Sequence, residues 1–251
     1  MRPELKMKRF KITVSYDGTN YFGWQVQPNA VTVQEKIEAV LLRLSGETVK
    51  VHGSGRTDRG VHAKGQVAHF DLEKQFEAKS LGRALNALLP DDIRVMRISN
   101  VKSDFHARKH AVSKIYCYFI WNDSVLPPLE RFTHLHVRHP LDVEAMRKAA
   151  ALLIGRHDFA AFTANPKDFV ESTVRTLISL DIRARGKEIA IVARGEGFLY
   201  KMVRSLAGWL IRVGRGEVPP EATQEVLESK LRTSEVPTAR PHGLILWSVK
   251  Y

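Results

Sequence analysis

The sequence predicts an α+β protein with two ferredoxin-like βαββαβ units, which form a mainly antiparallel sheet with helices on one side. Three observations predict this fold class. Apolar and polar residues alternate in several short segments, as they do in half-buried strands. Between these segments, apolar residues recur at helical spacing. The order of strands and helices in the first half of the chain then recurs in the second half, without sequence identity between the halves.

The first unit begins with a strand and a helix that has signals at both ends. Thr32 and Glu35 form a T-x-x-E capping box, and Gly46 stands where a helix would end. Ser80 is expected to cap a second helix, which begins at Leu81 and is ended by Pro90. The strands of this unit are predicted at Phe10–Tyr16, Glu47–His52, Gln66–Asp71 and Ile93–Ile98.

The second unit repeats this order with one additional helix. Its strands are predicted at Ser113–Trp121, Thr176–Ile182, Glu188–Ala193 and Leu244–Val249, with a turn at Arg185-Gly186 between the second and the third. Its helices are predicted at Asp142–Gly155, Leu199–Leu210 and Glu221–Leu227, the last of which fills a connection. The boundary between the units falls near residues 101–112, which gives domains of residues 1–107 and 108–251.

The composition excludes several classes of protein. The chain has 251 residues, of which 44% are hydrophobic, so it can bury one large core or two smaller ones. No stretch reaches the length of a membrane-spanning helix, and the first residues lack the apolar core of a signal peptide. Cys117 is the only cysteine, which excludes a disulfide framework and a cysteine-based metal site. A reducing cytoplasm is the expected compartment.

Positive charge is the strongest global signal. Lysine and arginine together number 39 against 27 acidic residues, which gives a net charge of +12. This surplus favours a polyanionic partner, and clustered cations are what phosphate contacts need. Nucleic acid is therefore a better prediction than a protein that is merely basic. The two clusters comprise Lys102, His106, Arg108, Lys109, His110 and Lys114, then Lys201, Arg204, Arg212 and Arg215.

One glycine-rich segment, GSGRTDRGVHAKGQVAHF from Gly53 to Phe70, carries the clearest candidate for chemistry. It places Asp58 between Arg56 and Arg59. A solvated hairpin loop would explain this charge pattern without any function. The chain has no nucleotide-cofactor motif and no carboxylate cluster for two metals, so a reacting Asp58 is left with nucleophilic attack or proton transfer. Neighbouring arginines favour the ionised carboxylate, which a nucleophile needs.

Two further segments leave functional and structural interpretations open. In SKIYCYFIW, alternation puts Ile115, Cys117, Phe119 and Trp121 on a face expected to be core, and Lys114, Tyr116, Tyr118 and Ile120 on the other face. That second face suits stacking on bases, although tyrosine is also an ordinary strand residue. In GFLYKMVRSLAG, Arg204 lies off the apolar stripe, where it either enters a cleft or faces solvent.

The histidine-rich segment THLHVRHP is the remaining candidate site. Two of its three histidines, His134 and His136, would share one face of a strand, as metal ligands do, and His139 follows. The segment contains no carboxylate, and histidine is equally useful in contact with RNA, so a metal site is not favoured. No metal is predicted for this protein.

A non-enzymatic RNA-binding protein is the alternative from a different functional class. RNA-recognition modules share the βαββαβ order and stack bases on aromatic residues of the sheet. Their characteristic K/R-G-F/Y signature is absent from both halves of the sequence. The binding-module hypothesis is therefore the weaker one.

Several motifs, in the same order along nearly the whole chain, resemble those of the TruA-type tRNA pseudouridine synthases. GRTDRGVHA resembles the catalytic motif of that family, and GQVAHF continues it. YDGTNYFGWQVQPN and DFHARKHAVSKIYCY resemble its N-terminal and central segments. GRHDFAAF, GFLYKMVRSLAG and ARPHGLILWSVKY resemble its C-terminal segments.

The resemblance implies an enzyme that isomerises uridine to pseudouridine on the 3′ side of the anticodon stem-loop of tRNA. It implies that Asp58 is the nucleophile, in a central RNA-binding cleft, and that the target base is flipped out of the stack. It also implies a homodimer, tRNA as partner and no cofactor. The residues implied to bind the substrate are Tyr116, which stacks on the uracil, Arg204, which pairs with the aspartate, Arg56, which fills the space left by the flipped nucleotide, and Leu244, which lines the base pocket.

Overall fold

A mixed α+β fold with mostly antiparallel strand pairs is present in the computed structural model, which describes residues 7–164 and 172–251. This confirms the predicted fold class. The described strands are β1 (Lys8–Tyr16), β2 (His52–Gly53), β3 (His62–Leu72), β4 (Ile93–Val101), β5 (Ser113–Asn122), β6 (Leu135–Val137), β7 (Gly155–Asp158), β8 (Val174–Arg185), β9 (Glu188–Gly195) and β10 (Leu244–Lys250). The described α-helices are α1 (Val33–Ser45), α2 (Ala78–Leu88), α3 (Val143–Ala151), α4 (Met202–Gly214) and α5 (Ala222–Ser229).

The chain divides into two units. The first contains the residues up to Val112 together with Leu246–Tyr251, and the second contains Ser113–Ile245. The first unit therefore includes most of β10, although that strand is the last in the chain. No helix in the described ranges is long and apolar enough to cross a membrane.

The strands of the first unit are ordered β4-β1-β3-β10, and β2 pairs with β3. β1 lies between β3 and β4 and is antiparallel to both. Phe10 pairs with Phe70 across β1 and β3, and their rings stack at 5.6 Å between centroids. Both side chains are fully buried. This pair lies in the core of the unit because every second residue of β1 points to the same face.

The first helix forms as its sequence predicts. The Thr32 hydroxyl accepts a hydrogen bond from the Glu35 amide at 3.4 Å, and the Glu35 carboxylate accepts one from the Thr32 amide at 3.3 Å. Gly46 adopts a φ of 79°, and its N–H donates to the Leu42 carbonyl at 2.8 Å. Both caps satisfy backbone groups that the helix ends leave open. The predicted capping box is confirmed.

The strand predicted at Glu47–His52 is wrong for most of its length, because only His52–Gly53 pairs as a strand. Side chains replace the missing ladder. The Glu47 carboxylate accepts hydrogen bonds from the amides of Glu73 and Lys74 at 2.9 and 2.8 Å. The Glu38 carboxylate accepts one from the Val51 amide at 2.9 Å. Acidic side chains therefore compete with strand pairing in this segment.

The predicted cap of the second helix is also wrong, by three residues. α2 begins at Ala78, and Glu77 is its N-cap. The Glu77 carboxylate accepts hydrogen bonds from the amides of Lys79 and Ser80 at 2.8 and 2.6 Å. Ser80 is thus inside the first turn. A carboxylate at this end also interacts favourably with the helix dipole.

In the second unit, the strands follow the order β5-β9-β8-β7, and β6 pairs with β5 in parallel. The β8–β9 hairpin turns at Gly186, whose φ is +59°, as the Arg185-Gly186 prediction requires. The Asp142 carboxylate caps α3 by accepting from the Ala145 amide at 2.9 Å. The helix ends at Ala151, earlier than predicted, and Gly155 begins β7. The sequence analysis missed β6 and β7, which are too short to show a period.

The most buried element of the second unit is α4. Eleven of its thirteen residues are buried, so it is apolar on nearly all sides and packs at the centre of the unit. Trp209 is fully enclosed, and its indole N–H donates to the Thr223 hydroxyl of α5 at 2.9 Å. This bond satisfies the one polar atom of a large core side chain.

Three histidine rings, those of His52, His69 and His106, pack together near the end of β3 in the first unit. The His69 ring stacks on His52 at 5.0 Å and lies 4.7 Å from His106. Its Nδ1 accepts a hydrogen bond from the Ala107 amide at 3.2 Å. Burial, and then the positive charges of His52, His106 and Arg9, lower the pKa of His69 to about 4. His69 is therefore neutral in the folded protein at neutral pH.

We expect this histidine to make the protein sensitive to acid. An unfolded histidine titrates near pH 6.5, so between about pH 6.5 and pH 4 the unfolded state binds the proton that the folded state excludes. The contribution of His69 to stability is complete above this range and is lost as the pH falls through it. The test is His69→Asn, which keeps an acceptor near the position of Nδ1. Its free energy of unfolding, measured with urea at each pH, should fall less steeply between about pH 6.5 and pH 4 than that of wild type. Equal slopes would contradict the assignment.

Candidate active site

The candidate catalytic loop, Ser54–Val61, joins β2 to β3 in the first unit and carries Arg56, Asp58 and Arg59. Its first residues are fixed by β3. The Ser54 amide donates to the Val67 carbonyl at 2.7 Å, and the Ser54 hydroxyl donates to the Gln66 side-chain oxygen at 2.7 Å. The Gln66 amide group then donates to the Gly55 carbonyl at 2.9 Å. Ser54 and Gln66 are fully buried, so the base of the loop is rigidly held.

The segment that follows β1 holds the loop from a second side. The Thr57 carbonyl accepts a hydrogen bond from the Trp24 amide at 3.2 Å. The Tyr21 carbonyl accepts one from the Gly60 amide at 3.2 Å. The buried Thr57 and Tyr16 hydroxyls are 2.8 Å apart and hydrogen-bonded. These contacts fix the loop backbone on both sides of Asp58.

Two glycines of this segment allow the backbones to approach so closely. A Cβ on Gly23 would lie 2.3 Å from the Thr57 carbonyl oxygen, and the φ of Gly23 is +93°. A Cβ on Gly18 would lie 2.1 Å from the carbonyl oxygen of Val61. No other residue fits at either position without moving the loop. No role was predicted for these two glycines, although their spacing among Tyr16, Tyr21 and Trp24 is a signal that the sequence offers.

Asp58 is half-buried at the turn of the loop, where its carbonyl accepts a hydrogen bond from the Val61 amide at 3.1 Å. Arg56 is exposed. Arg59 is also exposed, and its guanidinium carbon lies 4.1 Å from the centre of the Phe22 ring. A cation over an aromatic face is attracted to it, so Phe22 orients Arg59. The loop therefore presents one carboxylate beside two guanidinium groups on a fixed backbone.

The other three candidate residues belong to the second unit. Tyr116 lies on β5, with 7% of its surface exposed, and its ring meets that of Phe198 edge-on at 5.1 Å. Arg204 lies in the first turn of α4, where its Nε donates to the Ala239 carbonyl at 2.8 Å. The Ala239 amide in turn donates to the Arg204 carbonyl at 3.0 Å. Arg204 is therefore half-buried and tied in place.

Leu244, the first residue of β10, is buried. It follows a short 3₁₀ turn, Pro241–Gly243, whose proline and glycine set the entry into the strand. Asp58 and Arg56 thus share one loop of the first unit, whereas Tyr116, Arg204 and Leu244 are placed by three elements of the second.

The structure corrects the expected orientation of β5. The face with Tyr116, Tyr118 and Ile120 is the buried one, whereas Phe119 and Trp121 are only half-buried. Tyr118 is fully buried, and its hydroxyl donates to the Arg240 carbonyl at 2.8 Å. Burial raises the pKa of the Tyr118 hydroxyl far above its usual range, so it stays neutral. Of the two interpretations left open for Tyr118, the structure therefore supports the structural one, and Cys117 is buried as predicted.

Comparison with known proteins identifies relatives along the whole chain. The family model described as tRNA pseudouridine synthase matches residues 12–108 and 149–251. A tRNA pseudouridine synthase A 2 of Clostridium perfringens is 43% identical over 245 residues, which cover 98% of this chain and all of the relative. A tRNA pseudouridine synthase A of Brevibacillus brevis is 44% identical with the same coverage. One of Myxococcus xanthus is 46% identical over 98% of this chain and 92% of the relative.

A solved crystal structure of a Cbf5-Nop10-Gar1 complex matches with a TM-score of 0.33 and 12% identity. The match covers 80% of this chain and 54% of that chain.

We expect the Tyr16–Thr57 hydrogen bond to stabilise the loop measurably. Tyr16→Phe removes the hydroxyl that pairs with buried Thr57, and Thr57→Val leaves the Tyr16 hydroxyl with Gln66 as its side-chain partner. Each change should lower the free energy of unfolding by about 1–3 kcal/mol. The double variant removes both hydroxyls, so it should cost less than the sum of the two single changes. Urea unfolding of the four proteins gives this coupling. Additive effects would show that the two hydroxyls do not depend on each other.

Proposed function

The chain belongs to the tRNA pseudouridine synthase family and is a TruA-type enzyme, an isomerase of uridine in tRNA, and we propose that Asp58 is its nucleophile. The observation that carries this proposal is the fixed position of Asp58 on a loop held from both sides. A nucleophile must meet its target at a defined distance, and a rigid backbone reduces the entropy lost in reaching that geometry. We propose uridines on the 3′ side of the anticodon stem-loop as its targets.

The reaction breaks the bond between the ribose C1′ and N1 of uracil and forms a bond from C1′ to C5. The hydrogen on C5 leaves to solvent, and N1 gains a proton, so the product is an isomer of the substrate. No electron donor or acceptor is required. An ionised carboxylate that adds to the nucleotide and later leaves it lets the base detach and turn. We propose this covalent role for Asp58 without choosing between the base and the sugar as the atom attacked.

A base inside a stacked stem must be flipped out before a side chain can reach it. Flipping costs a few kcal/mol and leaves a vacancy in the stack. We propose that Arg56 fills this vacancy, because its guanidinium is exposed on the same loop as Asp58. A guanidinium can stack on neighbouring bases and donate hydrogen bonds at the same time. The loop then supplies both the group that opens the stack and the group that reacts.

The remaining site residues are proposed to hold the flipped uracil. Tyr116 presents a ring that is oriented edge-on by Phe198 and is suited to stack on the base. Arg204, fixed by its bonds to Ala239, is proposed to pair with the Asp58 carboxylate. Leu244 is proposed to line the base pocket. The homodimer, the absence of a cofactor and the cytoplasmic location stay predictions from the sequence.

Release of the C5 hydrogen provides the direct test of this function. A tRNA transcript tritiated at uracil C5 should release label into water when mixed with the purified protein, with neither metal nor methyl donor added. Asp58→Asn keeps the size of the side chain and removes its charge, so release should fall to background. The affinity of this variant for tRNA should stay within about tenfold, or about 1.4 kcal/mol.

Three controls distinguish pseudouridine formation from metal-dependent chemistry, from methylation at C5 and from release at the wrong uridines. Chelator should not change the rate, and a C5 methyltransferase would release label only with a methyl donor. A transcript without uridines on the 3′ side of the anticodon stem-loop should release nothing. Retention of label by the wild-type protein would refute the proposed function, and substantial release by Asp58→Asn would refute the nucleophile.

A second prediction concerns Tyr116, whose ring should matter more than its hydroxyl. Stacking contributes about 1–3 kcal/mol per base, so Tyr116→Ala should lower kcat/KM by about 5- to 150-fold, and Tyr116→Phe should lower it less. Removing a buried ring also destabilises the fold, so melting temperatures must be compared. Tyr200→Ala removes an exposed ring in the same unit and serves as the matched control. Wild-type turnover by a folded Tyr116→Ala would make Tyr116 a core residue only.

A further inference from the structure

The second unit contains a basic cavity of about 580 Å³ that none of the roles above explains. Ten residues line it: four arginines, four histidines and two leucines. No carboxylate is among the lining residues. A cavity of this size lies within the usual range for ligand sites, about 300–1,000 Å³. Its lining, however, is cationic where a site for an apolar small molecule would be hydrophobic.

The arginines come from three parts of the chain. Arg131 follows a short 3₁₀ turn, Pro128–Glu130, and Arg138 follows β6. Arg215 is the C-cap of α4, and Arg240 precedes β10. All four are exposed. Gathering like charges in one cavity costs free energy unless an anion binds there.

Hydrogen bonds fix the backbone around the cavity. The Asn122 side chain donates to the carbonyls of Val137 and His139 at 2.9 and 2.7 Å, and accepts from the Leu141 amide at 3.0 Å. The Tyr118 hydroxyl holds the Arg240 carbonyl at 2.8 Å. The cavity is therefore formed before any ligand arrives, which reduces the cost of binding.

Nearby carboxylates leave most of this positive charge uncompensated. Glu130 and Glu188 both contact the buried His134, at 3.1 Å from Nδ1 and from Nε2 respectively. Glu217 lies 3.5 Å from Arg215. In the described part of the chain, neither Arg131 nor Arg138 has a carboxylate partner.

The contacts of His134 also bear on the metal interpretation of the histidine segment. Carboxylates occupy both of its ring nitrogens. The His136 Nε2 lies 2.8 Å from the Asp123 carbonyl oxygen. Within the residues that the structure describes, no group of histidine, cysteine and acidic side chains could hold a metal ion. An anion is the ligand that this lining fits.

We propose that this cavity binds backbone phosphates of the tRNA, a contact that rests on the proposed function. Guanidinium groups form paired, charge-assisted hydrogen bonds to phosphate oxygens. A cavity several times larger than one ion, on a chain with a net charge of +12, suits a run of phosphodiesters better than a single free anion.

The test removes two cavity charges and compares the result with a matched loss elsewhere. The double variant Arg131→Gln/Arg138→Gln should raise the Kd for an unmodified tRNA transcript about tenfold at 0.1 M salt, and should reduce the slope of log K against log salt by about 1–2. Arg183→Gln/Arg185→Gln removes two exposed charges from β8, outside the cavity, and should change Kd less than about twofold. Arg131→Lys/Arg138→Lys keeps the charges and should retain most of the salt dependence.

Ethylation of single phosphates in the tRNA identifies the source of the anion. Some ethylated positions should weaken binding to wild type and have no effect on the glutamine double variant. An identical interference pattern for both proteins would overturn the proposal. Pyrophosphate serves as the probe for a free anion. If the glutamine double variant lost pyrophosphate binding but bound tRNA as wild type does, the proposal would also be overturned, because the cavity would then hold a free anion. A change of oligomeric state that accounts for the loss of affinity would also overturn it, by assigning the cavity to a contact between copies of this chain.

Melting temperature and tritium release make the outcomes separable. The glutamine variant should melt within a few degrees of wild type, and if it does not fold, the lysine variant in ethylation interference decides the question. The wild-type protein could release tritium while the cavity variant Arg131→Gln/Arg138→Gln binds tRNA as well as the β8 control Arg183→Gln/Arg185→Gln. This result would refute the proposed phosphate contact and leave the proposed function intact. Wild-type protein that releases no tritium would refute the function, whatever the binding data show.

Discussion

The buried hydrogen bond between the Tyr16 and Thr57 hydroxyls is the interaction on which the candidate active site depends. It ties the loop with Asp58 to β1, the strand that lies between β3 and β4 in the first unit. The close approach at Gly23 completes the attachment, because no side chain fits between that residue and the loop. A reactive carboxylate on a glycine-rich loop would otherwise be mobile, since glycine leaves many backbone conformations open. Packing from outside the loop thus supplies the rigidity that its own sequence lacks.

Positive charge in this protein serves several distinct purposes. Arg204 is half-buried and is held through the backbone of Ala239, so its position is set by the core helix α4. Arg59 rests on the Phe22 ring. The arginines around the basic cavity are exposed on a backbone fixed by Asn122 and Tyr118. A net charge describes attraction to a polyanion at long range, whereas these separate supports fix where each guanidinium group is held.

Helix ends and hairpin turns were predictable where a short sequence pattern determines them. The Thr32–Glu35 box and the Gly186 turn formed as expected, because each depends on residues within a few positions of one another. Predictions failed where a distant side chain intervened. Glu47 bonds to backbone amides more than twenty residues away, which removes that segment from the sheet. The cap of α2 was misplaced for a local reason, because the Glu77 carboxylate, three residues before Ser80, accepts from the first amides of the helix.

The βαββαβ order, the basic character and the loop that presents Asp58 could be predicted, because periodicity, composition and local motifs carry that information. The buried face of β5 could not be predicted, since alternation defines two faces but does not say which one other elements cover. Tertiary packing also sets what holds the loop: Tyr16 and Thr57 are 41 positions apart, and no local pattern links them. The basic cavity likewise exists only in the folded chain. Its arginines come from separate segments, and their shared effect depends on distances that folding alone sets.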